Sequence, residues 1–235
     1  MSATETPTPV QVDSARFRGG RSFAIRVAIT VAALGIWFWT QSLIGSRGVP
    51  ATGIGDTLHS ATAAANEYLH IHPKAADALL IVSSGIIDLL ALFLLAKWIF
   101  GASPRPFLGL VIVLGLRQIT QALVALPAPP NAIWHYPGFP SLLVTYGVAN
   151  DYFFSGHTAI AVLAAAEIAR MQRPWLTTAS ILLVVFEIVT VLVLRAHYTM
   201  DVFTGIVTAL YAAYLANCVV NTKFFSRIGL TQASH

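Results

Sequence analysis

Charge is scarce in this chain of 235 residues: only 10% are Asp, Glu, Lys or Arg, against 56% that are hydrophobic. So few charged side chains cannot solvate the surface of a soluble globule, and a mean hydropathy of +0.71 assigns the protein to a membrane. Cysteine is almost absent. The single Cys218 falls in the last apolar run, which excludes a disulfide framework and a cysteine metal site. Acidic residues number 10 against 14 basic ones. A surplus of +4 needs no nucleic acid to explain it, because the basic residues cluster at the ends of apolar runs. No internal repeat, second domain or cleavable signal peptide is evident.

What the chain does have is apolar length. About 20 apolar residues cross roughly 30 Å of hydrocarbon, and six runs qualify, at about 22 to 44, 76 to 98, 107 to 126, 157 to 172, 175 to 195 and 200 to 221. The expected fold is an all-α, six-span helical bundle over 22–222, with polar tails at 1–21 and 223–235. The fourth run is short, and Pro174 marks the turn that follows it. Arg16, Arg18, Arg21 and Arg26, then Lys97 and Arg105, then Arg170 and Arg173, then Lys223 and Arg227 fall at alternate run ends. The other side has Arg47, Lys74 and Arg195, and the connection from Pro127 to Phe154 carries no basic residue. The positive-inside bias then puts both termini in the cytoplasm of a plasma or bacterial inner membrane.

Two polar islands interrupt the apolar text, Asp151-Tyr152-Phe153-Phe154-Ser155-Gly156-His157-Thr158 and His197-Tyr198-Thr199-Met200-Asp201-Val202, both on the expected extracytoplasmic side. Ser155 and Gly156 before His157 read as a helix start, where free backbone N–H groups and the positive helix end attract an anion such as phosphate. His197 and Asp201 are four residues apart, so on a helix the carboxylate can orient the imidazole. One oriented histidine as nucleophile and a second as acid and base give a two-step phosphoryl displacement through a phosphohistidine. The competing chemistry for two histidines and an aspartate is zinc.

Arg117 falls about midway through the third run. An intramembrane arginine is costly and therefore functional by default, holding either an anionic head group or a buried carboxylate. Asp88, Glu167 and Glu187 are the mid-run acids that could neutralise it, and each otherwise reads as polar glue in the bundle. The aromatic connection that includes Trp134, Tyr136 and Phe139 reads as an interfacial anchor. His59, His70 and His72 read as solvated loop residues, with metal binding the weaker alternative.

These residues resemble the type 2 phosphatidic acid phosphatase superfamily and, within it, the sphingomyelin synthase-like branch. Asp151 to Thr158 is similar to the branch's Gly-Asp-x-x-x-Ser-Gly-His-Thr signature, with Asn150 in place of the glycine, and His197 to Val202 matches His-Tyr-Thr-x-Asp-Val. Arg117-Gln118-Ile119-Thr120 with Leu126-Pro127-Ala128-Pro129 resembles the arginine motif of the third span, with Leu116 in place of a tyrosine and Arg105 near an upstream basic pair. A first-loop Pro-Pro-Leu-Pro-Asp motif survives only as Pro50 and Asp56. Val191 stands where simple lipid phosphatases of the superfamily carry arginine, and Phe154 where they carry proline, which favours the synthase branch.

The resemblance implies His197 as nucleophile, Asp201 as its orienter, and His157 as general acid and then base. It also implies phosphate and substrate contacts from Arg117, Ser155 and Gly156, with Asp151 and Tyr198 in the same motifs. Arg195, two residues before the nucleophile, is a further candidate. No metal and no cofactor is implied. The substrates would be a phospholipid and a lipid alcohol, ceramide or diacylglycerol. Water as acceptor would make the enzyme a phosphatase or a phospholipase C. A lipid transporter or flippase, argued from Arg117, Asp88 and Glu187, is the rival of another class; such proteins often show internal symmetry, which this chain lacks.

Overall fold

The computed structural model describes residues 13–46, 54–146 and 152–222. Eight helices follow one another: α1 Asp13–Gly45, α2 Thr57–Ala61, α3 Ala63–Ile71, α4 Pro73–Ile99, α5 Arg105–Leu123, α6 Gly156–Ala169, α7 Pro174–Val193 and α8 Thr199–Val220. No strand occurs among the described residues. Helix α1 starts at Asp13, inside the stretch expected as a tail; residues 1–12 and the expected tail at 223–235 lie outside the described residues.

Proline starts three of the long helices. Pro73 and Pro174 open α4 and α7, and Pro106 sits in the first turn of α5, positions whose N–H groups have no partner within the helix. Five helices are long and apolar enough to cross a membrane: Ser22–Leu43, Pro73–Ile99, Arg105–Leu123, Pro174–Val193 and Thr199–Val220. The expected fourth span is instead the shorter apolar helix α6, of 14 residues. At 1.5 Å per residue it covers about 21 Å, short of the hydrocarbon thickness. Among the described residues, five helices of spanning length and one shorter apolar helix stand where six spans are expected. Ser155 stops α6 at one end with a side-chain cap on the Thr158 amide, 3.3 Å. At the other end the chain turns at Met171 and Gln172, whose amides reach back to Ile168 and Ala169.

Helix α6 lies at the centre, packed against α4, α5, α7 and α8. It can do so because its buried face is small: Ala159, Ala161 and Ala164 meet Ala209, Ala212 and Ala213 of α8 in one core cluster, and small side chains let helix backbones approach closely. Larger residues fill the space around them, among them Ile87, Leu94 and Trp98 of α4 and Phe107, Leu110 and Val113 of α5.

Arg105 closes the end of the bundle away from the site. Its Nε and Nη2 donate to both carboxylate oxygens of Glu167, at 2.9 and 3.1 Å, and Arg170 lies 3.6 Å from the same carboxylate. Arg26 ties α1 to this end through the carbonyls of Trp98 and Gly101, at 2.8 and 2.7 Å.

Candidate active site

The two polar islands meet at the opposite end. The Ser155 amide donates to the Asp201 carbonyl at 3.1 Å, which places the start of α6 beside the first turn of α8. Gly205, one turn beyond Asp201 in α8, makes this approach possible: a Cβ there would stand 2.8 Å from the Ser155 carbonyl oxygen. His157 and His197 are both buried and both line a small cavity of about 40 Å³, together with Arg117, Gly156, Tyr152, Trp37 and Trp134. That is room for about three waters.

Arg117 reaches this cavity from α5. Its Nε donates to the Phe154 carbonyl at 3.0 Å, and a Cβ on Gly156 would lie 3.1 Å from that same nitrogen. Glycine at 156 therefore lets the guanidinium lie against the first turn of α6, where the helix's positive end already favours an anion. None of the three mid-run acids pairs with Arg117. Asp88 accepts from Ser141 Oγ and the amides of Leu142 and Leu143, at 2.9, 2.7 and 3.0 Å, and so draws the connection after α5 into the bundle. Glu167 is held by Arg105. Glu187 accepts from Ser83 Oγ at 2.6 Å.

His197 is oriented differently from the expectation. Its Nδ1 donates to the Tyr152 carbonyl at 2.7 Å, while the nearest Asp201 oxygen is 3.7 Å away. Asp201 Oδ2 instead accepts from the Tyr198 amide at 2.8 Å, closing the first turn of α8 in the manner of a capping box. With the Nδ1 proton fixed on a carbonyl, the lone pair of the neutral ring lies on Nε2. His157 Nε2 has no hydrogen-bond partner among the described residues, and its ring meets Trp134 edge-on at 5.4 Å. Trp134, expected as an interfacial anchor, is thus a wall of the cavity, held by its Nε1 on the Thr145 carbonyl at 3.3 Å.

Several expected contacts do not point into the cavity. Arg195 donates to the carbonyls of His59 and Pro130, at 2.8 and 3.5 Å. The Tyr198 hydroxyl accepts from the Ile54 amide and donates to the Ala128 carbonyl, each at 3.4 Å; burial pushes its phenol above the ordinary value, and the charges of Asp201 and Asp56 add to this. The Ser155 side chain is the helix cap and its amide is engaged by Asp201, so the amides of Gly156 and His157 are the ones left at the α6 start. Asp151 lies outside the described residues.

Sequence reasoning undervalued the first connection. His59, expected as solvated, is buried and its Nε2 donates to the His197 carbonyl at 2.9 Å. Asp56 caps α2 through the Leu58 and His59 amides, at 2.9 and 3.2 Å. The same carboxylate accepts from Thr199 N at 2.5 Å and from Thr199 Oγ1 at 2.7 Å. Burial pushes this carboxyl up, but the Thr199 and His59 hydrogen bonds outweigh it and leave Asp56 below its ordinary value. Asp56 thus clamps the first connection onto the start of α8, next to His197; only its place in a vestigial motif hinted at this.

A multi-helix membrane protein with two buried histidines and a buried arginine around one small cavity is the class that fold and site define. A family profile described as AtPDCT1/2 matches residues 55–218, and the chain belongs to that family. Two relatives from Arabidopsis thaliana are similar to it. Phosphatidylcholine:diacylglycerol cholinephosphotransferase 1 is 24% identical over 168 residues, covering 72% of this chain and 53% of the relative. Phosphatidylcholine:diacylglycerol cholinephosphotransferase 2 is 30% identical over 112 residues, covering 46% and 36%. The chain thus spans about half or less of the length of these curated relatives. No solved structure matches it.

Proposed function

We propose that the protein is a lipid phosphotransferase that moves a phospho-head group from a phospholipid to a lipid alcohol through a phosphohistidine. The observation that carries this reading is the shared cavity: His157, His197 and Arg117 all line it at the start of α6. In the first step His197 Nε2 attacks phosphorus, the phosphorus–oxygen bond to the diacylglyceryl group breaks, and His157 gives its proton to the leaving alkoxide. In the second step His157 takes the proton of an acceptor hydroxyl, whose oxygen attacks the phosphohistidine and frees His197. Arg117 and the amides of Gly156 and His157 stabilise charge on the phosphoryl oxygens. Asp201 acts through the first turn of α8, with its charge 3.7 Å from the His197 ring.

The activity for which the two relatives are named favours phosphatidylcholine as donor and diacylglycerol, rather than ceramide, as acceptor. Within this proposal the chain is a sphingomyelin synthase-like member of the type 2 phosphatidic acid phosphatase superfamily, α6 is the fourth of six crossings, and the end bearing Arg105 and Arg170 faces the cytoplasm. The transporter reading loses ground, because Asp88 and Glu187 are engaged by a connecting loop and by Ser83.

The test is incubation of the purified protein with choline-labelled phosphatidylcholine and fluorescent diacylglycerol or ceramide, with and without chelator. Labelled lipid product is expected, an acid-labile label on the protein in the absence of acceptor, and loss of both in His197→Ala. His157→Ala should also lose turnover while still inserting as a folded protein. Turnover retained by either purified variant refutes the mechanism, and release of phosphocholine alone moves the protein to the hydrolases.

A further inference from the structure

A second cavity, of about 380 Å³, opens on the flank of the bundle between α1, α4 and α5. Its walls are apolar, with Leu34 and Trp37 of α1 facing Leu110, Leu114 and Gly115 of α5. The hydroxyls of Thr30 and Thr40, at its two ends, are turned back onto the carbonyls of Arg26 and Ile36, each at 2.9 Å. From Thr30 to Thr40 the groove follows α1 for about 15 Å, half the hydrocarbon thickness and so the depth of one leaflet. Its outer end is closed by polar side chains, Gln118 Nε2 donating to Gln41 Oε1 at 2.8 Å and Gln41 Nε2 to Thr145 Oγ1 at 3.3 Å.

Two features connect this groove to the chemistry. Trp37 and Leu114 line it on one side and the catalytic cavity on the other. The Arg117 guanidinium stands 6.0 Å from the Trp37 ring centroid, so the groove ends at the wall behind the phosphate-binding arginine. Its long side is open, flanked by the exposed Ile36, Val111 and Ile119. An apolar slot one leaflet deep, open sideways and ending at the reacting centre, suits a hydrocarbon chain attached to the reacting lipid.

We propose that the groove holds one acyl chain of the diacylglyceryl group of the substrate, with Trp37 and Leu114 as the partition between chain and phosphate. This rests on the phosphotransferase reading above. In that reading the donor loses its head group to become diacylglycerol and the acceptor is itself diacylglycerol, so one groove serves both half-reactions.

Gly115 provides the test, because a Cβ added there meets nothing within 4 Å and an aromatic ring can fill the groove without opening the core. Gly115→Phe is expected to lower kcat/KM for dipalmitoyl substrates by about tenfold or more, the order seen when an apolar pocket refuses methylenes, and to leave dihexanoyl substrates within about twofold. Gly35→Phe, at an exposed and equally open position of α1 outside the groove, should leave both substrates unchanged. Equal loss on short and long chains, or no loss, overturns the proposal.

A second readout does not need turnover. Phosphatidylcholine with a photoreactive group at the end of one acyl chain, in detergent micelles, should label peptides covering 30–40 and 107–119 in the wild type and lose that label in Gly115→Phe. Label spread evenly over the lipid-facing helices overturns the groove. Groove labelling without transfer would uphold the groove while refuting the phosphotransferase reading.

Discussion

Replacing Gly205 by alanine sets two effects of known sign against each other. Removing a glycine from a helix interior stabilises the helix by about 1 kcal/mol. The added Cβ, however, would stand 2.8 Å from the Ser155 carbonyl oxygen and 3.4 Å from the Thr158 Cβ, and neither atom belongs to a flexible side-chain end. Backbone must move, and overpacking of this kind costs about 1–3 kcal/mol, so Gly205→Ala should be destabilised by about 0–2 kcal/mol. Gly85→Ala in α4 is the control, since a Cβ there meets nothing within 4 Å; it should be up to about 1 kcal/mol more stable than the wild type. The two variants should therefore differ by about 1–3 kcal/mol in unfolding by dodecyl sulfate in mixed micelles. The movement also separates His157 from His197, because both hang on the contact between the starts of α6 and α8, and a misplacement near 1 Å costs up to about a hundredfold in rate. Under the proposed function, choline-head-group transfer by Gly205→Ala should fall accordingly, with Gly85→Ala unchanged. A Gly205→Ala protein as stable as Gly85→Ala and fully active would show that this close approach does not set the site.

Asp56→Asn removes the charge that clamps Thr199 and should lower both stability and turnover. Because the folded-state value of Asp56 is depressed, its contribution is complete above the ordinary carboxyl value of 3.8 and is lost as pH falls through the folded value; a pH series of unfolding midpoints should show an acid limb that the variant lacks. Glu167→Ala leaves Arg105 without its bidentate partner at the far end of the bundle and should cost about 3 kcal/mol of stability. Glu167 is ten residues along α6 from His157, about 15 Å, so transfer per folded molecule should be unchanged, and a fall in it would show that the ion pair reaches the site.

How far the sequence could be read depended on the range of each interaction. The His157 and His197 islands were legible because cap, glycine and histidine, or histidine and aspartate, sit within a few residues of one another. Arg117 was legible because a guanidinium in an apolar run is anomalous wherever it points. The partners of these residues were not legible. The Tyr152 carbonyl that fixes His197 is a backbone atom 45 residues away, and Asp56 meets Thr199 across 143 residues. Hydropathy marked a fourth span at about 157 to 172 because it measures composition, whereas the 14-residue length of α6 is set by the Ser155 cap and the turn at Met171 and Gln172. Arg195 looked suitable beside the nucleophile by position alone, and only the fold shows it holding the carbonyls of His59 and Pro130.

Arg117 stands six residues before the end of α5, roughly 9 Å along the helix from that end, and its side chain reaches the cavity that His157 and His197 line. In the proposed reaction, carried out at that level of an apolar helix, a released diacylglycerol, which has no head group to hydrate, is already in its preferred solvent, while water is the scarce reactant. In the proposed mechanism, competition for the phosphohistidine is then set by local concentration as much as by the shape of the site. On the proposed function, a nucleophile placed this far along the helix favours transfer over hydrolysis through where the chemistry takes place, and variants that thin the membrane around α6 would raise hydrolysis without altering His157 or His197.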